Sequence, residues 1–142
     1  MFTSPTPVPE DLVPSPGDVN VFRERLFRVD TSNPDDPQPR GEQVGTALAE
    51  CTTITVGEED APEDLSVLCS RMFVLDGRGE IAAAESYTFA DPLSDTDPVT
   101  GGTGRFRDVG GEVSFDVQEI EGTDLFNSIY TFRLLHLDDG RR

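Results

Sequence analysis

Glu112-Val113-Ser114-Phe115-Asp116-Val117-Gln118 alternates a polar and an apolar side chain at every step. Successive side chains of a β-strand point to opposite faces, so a period of two describes a ribbon with one wet and one dry face. Related composition, rich in Val, Ile, Thr and Phe, recurs in residues 18–29, 43–56, 65–75, 80–90 and 125–137. No stretch of helix length carries apolar residues at three-to-four spacing. A short helical turn after Gly104 is compatible with the sequence. Strands joined by turns bury their dry faces on one another, so the chain reads as an all-β sandwich or barrel.

Outward from that stretch, a turn at Glu121-Gly122-Thr123-Asp124 pairs Phe115 with Tyr130 and Val113 with Phe132, which builds one continuous apolar face. A turn centred near Asp60 places Cys51 opposite Cys69. The turn Asp76-Gly77-Arg78-Gly79 permits two registers. A five-residue loop pairs Leu75 with Ile81, Cys69 with Tyr87 and Arg71 with Glu85; a four-residue loop pairs Leu75 with Glu80 and exchanges the faces of the following strand. Residues 31–42 and 91–98, crowded with Asp and Pro, read as surface loops. Residues 1–16 hold Pro5, Pro7, Pro9, Pro14 and Pro16 and read as an extended arm or a poor edge strand, leaving 17–142 as the barrel domain.

With 142 residues the chain has the length of one domain and one modest core. Its formal charge is -17, and all eleven basic residues are arginine. Nucleic acid and anionic membrane are therefore not expected partners, because both need clustered cations. Without lysine there is no Schiff-base or phosphate-loop chemistry. Met1-Phe2-Thr3-Ser4-Pro5 lacks a basic start before an apolar run, and no segment is long and apolar enough to span a bilayer, so the expected location is cytoplasmic. Two cysteines make neither a disulfide framework nor a zinc site.

Motif by motif, most familiar chemistry is excluded. Gly101-Gly102-Thr103-Gly104-Arg105-Phe106 is no dinucleotide loop, since Arg107 stands where the third glycine belongs; its glycines suit a tight corner between strands. Residues 74–85 place Val74 and Arg78 where a calcium loop needs oxygen ligands. His136 is the single histidine, and no Gly-x-Ser-x-Gly elbow accompanies it.

One group stands apart. In the five-residue register Cys51, Cys69, Arg71, Glu85 and Tyr87 share a face with Ala47, Ala49 and Ala83, whose small side chains would leave room for a ligand. Facing inward, Arg71 and Glu85 must bond each other, because an unpaired buried charge is costly. Facing outward, they make a weak surface bridge. The cysteines are then two buried thiols or a cross-strand disulfide. Leu48, Ile54, Leu68, Met72 and Val74 form a second apolar face on the same strands, which calls for self-association or cover by the N-terminal arm.

The order of motifs resembles the allene oxide cyclase barrel superfamily, whose relatives include plant dirigent proteins and bacterial polyketide cyclases. The resemblance rests on Gly17-Asp18-Val19 leading to Leu26-Phe27, Val44-Gly45-Thr46 leading to Cys51, and Gly79-Glu80-Ile81 leading to Tyr87. It continues through Thr100–Phe106 and Gly110-Gly111-Glu112-Val113, and spans residue 17 to about 137. It implies a small antiparallel up-and-down barrel of about eight strands, with Cys51 and Tyr87 lining the cavity. The plant enzymes also carry glutamate and asparagine on a first strand. Here that region is the Pro-rich arm, and Asn20 stands where their motif has proline, which points away from allene oxide cyclisation itself.

The function so implied is closure of a ring in a polyketide-like or other conjugated intermediate, of Diels–Alder or related type, without metal or redox cofactor. Tyr87, Arg71 and Glu85 are the expected catalytic groups. Cys51, Cys69, Ala49, Phe73, Phe89, Phe115 and Tyr130 are expected to contact the substrate, a hydrophobic small molecule. A dirigent-like or ligand-carrying barrel without catalysis is the alternative, and a homo-oligomer, dimer or trimer, the expected assembly.

Overall fold

The computed structural model describes residues 2–3, 15–55, 66–88, 94–119, 122 and 126–137, without the side chains of residues 2, 3, 87, 88, 94, 95, 119 and 126. Eight antiparallel strands run in sequence order: β1 (Phe2–Thr3), β2 (Val19–Asp30), β3 (Gln38–Thr55), β4 (Ser66–Leu75), β5 (Gly79–Thr88), β6 (Ser94–Gly102), β7 (Val109–Glu119) and β8 (Phe126–His136). Seven of them form one strongly curled sheet. The two-residue β1 pairs with both β2 and β8 and closes the barrel. Among the described residues the only helical piece is a 3-10 turn, Gly104–Phe106, and no helix is long and apolar enough to cross a membrane.

The expected pairings at both ends of the chain are present. Cys51 stands opposite Cys69, Phe115 opposite Tyr130, and Val113 opposite Phe132. The β4–β5 hairpin takes neither anticipated register. It turns over three residues, Asp76–Arg78, so Leu75 pairs with Gly79, Cys69 with Glu85 and Arg71 with Ala83. Gly77 and Gly79 supply the reason: both adopt positive φ, which lets the chain reverse with one fewer residue than a looser loop needs. The shift from the five-residue register is two places, so every side chain keeps its face.

Two expected loops are shorter than read. Gln38–Arg40 already pair with Arg28–Asp30, leaving 31–37 as the connection. Ser94–Pro98 pair with β7, while β6 meets β5 only at Val99, Gly101 and Gly102. Among the described residues Pro98 pairs on one side only, with Glu112 of β7, a position that suits a residue with no N–H to donate.

One end of the barrel is filled. Leu26, Phe73, Leu75, Ile81, Val99, Val109 and Val113 form its core, with Phe106 and Leu134 packed beneath. The 3-10 turn brings Phe106 there. Arg105 N–H donates to Arg78 C=O at 2.8 Å and Thr103 N–H to Glu80 C=O at 2.9 Å, tying the corner to the β4–β5 turn. Gly102 allows the approach, since a Cβ on it would lie 2.5 Å from Phe106 O and 2.6 Å from Glu80 O. The glycine segment is therefore the corner that its composition announced. The opposite end carries a smaller cluster of Ala49, Cys51, Val67 and Cys69, flanked by Phe22.

Candidate functional site

Along β4 the inward side chains run Leu75, Phe73, Arg71, Cys69, Val67, and Arg71 is the one charged member. It lies between the two apolar clusters, opposite Ala49 on β3 and Ala83 on β5. Those methyl groups leave width for the guanidinium to extend across the interior. Three further strands supply what it meets: Glu85 from β5, Glu24 from β2 and Tyr130 from β8.

The guanidinium forks onto Glu85, with Nε donating to Oε2 at 2.9 Å and Nη2 reaching Oε1 at 3.4 Å. Nη1 donates to Glu24 Oε2 at 3.1 Å and also to the Tyr130 hydroxyl. That hydroxyl donates in turn to Glu24 Oε2 at 3.2 Å. Side-chain exposure grades from 5% at Glu85 through 12% at Arg71 to 19% at Glu24, so Glu24 is the carboxyl nearest to solvent. Among the described residues no buried side-chain nitrogen or oxygen lacks a partner, as a polar layer in an apolar barrel requires.

One cation facing two carboxyls leaves an excess of negative charge. Burial raises the pKa of Glu24 above the ordinary carboxyl value, against the opposing pull of Arg71 and the Tyr130 hydrogen bond. Burial acts against the charge on Arg71, but the surrounding Tyr130, Glu85 and Glu24 outweigh it and hold the guanidinium charged. Burial also raises the Tyr130 phenol, so it stays a neutral donor. The layer is thus a fixed cation, a forked counter-ion, and a second carboxyl that accepts the hydrogen bond of a neutral phenol.

The inward reading of Arg71 and Glu85 holds, and their bond runs along a diagonal rather than across a direct pair. Cys51 and Cys69 are joined as a disulfide, which resolves the open choice between thiols and a bridge. Ala49 is buried beside them. Phe73 is wholly buried, its ring edge-on to Tyr130 at 5.0 Å and to Phe132 at 4.8 Å, so it supports the floor of the layer. Phe115 is half-buried, 6.4 Å from the Tyr130 ring. The Tyr87 backbone pairs with Val67; its side chain, and all of Phe89, lie outside the described residues. Tyr130, expected only as a lining aromatic, proves central to the network.

Glu24 was not anticipated. Its signal lay in β2, where Phe22, Glu24 and Leu26 alternate with Val21, Arg23 and Arg25. A carboxylate in phase with Phe and Leu is an inward carboxylate. Nothing in the sequence alone, however, shows that β2 lies against the Ala47 rung of β3. Among the described residues no group of three or more His, Cys, Asp or Glu is disposed to hold a metal ion.

No family model matches the sequence, and no curated protein matches it. Among solved structures the chain is similar to pyocyanin demethylase, over 92% of this chain and 98% of that one, with 22% identity and a TM-score of 0.57. At that identity the likeness is one of fold, a small β-barrel.

Proposed function

We propose that the barrel processes a largely apolar small molecule and closes a ring in it, with the Glu24–Arg71–Glu85–Tyr130 layer at the reacting end. The observation that carries this reading is the layer itself: four hydrogen-bonding groups from four strands, set between apolar clusters inside a small barrel. Stability alone does not call for such an arrangement, because apolar residues of similar volume would serve as well or better. Intramolecular ring closure adds and removes no atoms, so it asks for confinement and polarisation rather than a co-reactant. Apolar walls hold a flexible conjugated chain folded, which turns lost entropy into rate. Arg71 and Tyr130 offer donors to a substrate oxygen that gains negative charge in the transition state. Glu24, the more exposed carboxyl with its pKa raised by burial, gives or takes the proton that accompanies such a shift.

The resemblance to allene oxide cyclase and polyketide-cyclase barrels supports the reading. Tyr87 stays a candidate through the same resemblance. The substrate is a hydrophobic small molecule and the assembly a homo-oligomer, for which the exposed Val19, Val21, Leu48, Ile54 and Leu68 on the outer face of β2–β4 provide the surface.

Incubation with linear polyketide-like intermediates tests the proposal. Cyclised product is expected from the wild type, with loss of about a hundredfold in rate for Glu24→Gln. Absence of cyclisation from every such intermediate would remove the class. A second reading, a carrier that binds without turnover, draws on one observation: each donor atom of Arg71 and the Tyr130 hydroxyl already has an acceptor inside the barrel. Tight binding of cyclised product, with no turnover of linear precursors, would select it.

A further inference from the structure

Directly beyond Arg71, the next inward rung of the sheet is covalent. On β3 and β4 the inward register pairs are Ala47 with Phe73, Ala49 with Arg71, and Cys51 with Cys69. The Cys69 rung continues onto β5 as Glu85. A single row across three strands therefore carries the disulfide at one side and, at the other, the carboxylate that receives the Arg71 fork.

From this juxtaposition we propose that the Cys51–Cys69 disulfide is a positioning element of the polar layer, holding Glu85 and through it Arg71 in the geometry the site uses. The inference rests on the reading of that layer as the site.

Three observations argue for a local rather than a global role. First, β3 and β4 are already joined by ten register pairs, of which the bridged pair is an interior one, so their pairing does not depend on the bridge. Secondly, both cysteines point into the barrel, at 3% and 2% exposure, where side chains set the shape of the interior; a bridge on the outer face would tie the same strands. Thirdly, the neighbours on β3 and β5 nearest the Arg71 fork are Ala49 and Ala83, too small to brace it. The rigid bodies around Arg71 are Phe73 on one side, the Tyr130 ring facing the guanidinium at 5.1 Å, and the disulfide on the other, and of these the disulfide alone shares a row with Glu85. Opening the bridge replaces one bonded pair of sulfurs by two thiols, which must separate to about van der Waals distance, 3.5–4 Å. The added width falls on Glu85, in the same row, and on Phe22, packed against the cluster that holds the bridge.

The test needs no substrate, so its failure is separate from failure of the functional reading. In isotopically labelled full-length protein, the Arg71 Nε–H resonance is followed by NMR before and after reduction with a small dithiol, which transfers two electrons and two protons to the bridge and itself becomes a disulfide. Circular dichroism reports the fold. The expected result is a retained fold, a displaced Arg71 signal exchanging with water about tenfold faster, and recovery on reoxidation. The Cys51→Ala/Cys69→Ala variant should behave as the reduced protein does. Val67→Ala, one rung further along β4 and also buried, loosens the same end with the bridge intact and should leave the Arg71 signal in place. An unchanged signal after reduction, an equal displacement in Val67→Ala, or unfolding on reduction would each overturn the proposal.

Discussion

Arg71 reaches Glu85 along a diagonal of the sheet: its register partner is Ala83, yet its Nε lies 2.9 Å from Glu85 Oε2. The offset leaves Nη1 free to turn to β2 and β8, where Glu24 and Tyr130 stand. One guanidinium thereby neutralises parts of two carboxyls, and its removal leaves both buried without a cation. Arg71→Ala is expected to cost about 3–5 kcal/mol in urea unfolding, the range for breaking a buried pair on one side. Replacing Arg71, Glu24 and Glu85 together by Leu or Met should instead be near neutral, or stabilising, while abolishing the proposed activity. A triple variant as unstable as Arg71→Ala would show that packing, not charge, governs the layer.

Tyr130→Phe isolates the phenol. The ring stays against Phe73 and Phe115, while the hydroxyl's bonds to Arg71 and Glu24 are lost. Loss of a buried donor to a carboxylate costs about 1–3 kcal/mol. Because that donor holds the Glu24 pKa down, its removal should raise it further. Carbon-detected NMR titration of Glu24 in the two proteins measures the difference; a fall in the Tyr130→Phe variant would contradict the hydrogen-bond assignment.

How much of this was legible in the sequence follows from the range of each interaction. The all-β class and the Phe115–Tyr130 and Cys51–Cys69 pairs were readable because alternation and turn centres are local. Arg71 with Glu85 was readable for the same reason, since one hairpin joins them. The turn length was not: Leu75 pairs with Gly79 through conformations that a glycine permits but does not dictate. Glu24 escaped because its partners lie 47 and 106 residues away, brought near only when the sheet curls and closes. The strand in Ser94–Pro98 escaped because its Asp and Pro carry loop chemistry, whereas its ladder is supplied by pairing with β7.

Gly102→Ala tests the corner. The new Cβ would meet the backbone oxygens of Phe106 and Glu80, and neither can swing aside as a side chain would. A loss of about 1–3 kcal/mol is expected from overpacking, read as a lower urea midpoint. Phe106 should detach from the core at the same time, which exchange of the amides in residues 103–107 would report.

On the outer face, Val19, Leu48, Ile54 and Leu68 are about half exposed and Val21 more so. Val19, Thr52 and Leu68 form one row across β2–β4, Val21, Glu50 and Ser70 the next, and Arg23, Leu48 and Met72 the third, so each row carries apolar groups with polar ones between them. Light scattering after size exclusion is expected to give a dimer or trimer, and Leu48→Glu/Leu68→Glu a single chain with an unchanged circular dichroism spectrum. A monomeric wild type would leave that face for a different partner.

Acid titration supplies the sharpest check on Glu24. Its folded pKa lies above the ordinary carboxyl value of 4.5, chiefly through burial. The folded protein then binds the Glu24 proton more tightly than the unfolded chain does. Stability from this group is full below 4.5 and is lost as pH rises through the folded value. Other carboxyls, and the repulsion of a chain with charge -17, also change with pH, so the wild type alone does not isolate the effect. Glu24→Gln keeps the shape and the hydrogen-bonding capacity without the titration. The stability difference, wild type minus variant, should therefore decline as pH rises from 4.5 through the Glu24 transition and level off above it. A difference that increases over that interval would mean Glu24 is held ionised by Arg71, and would remove it as a proton donor.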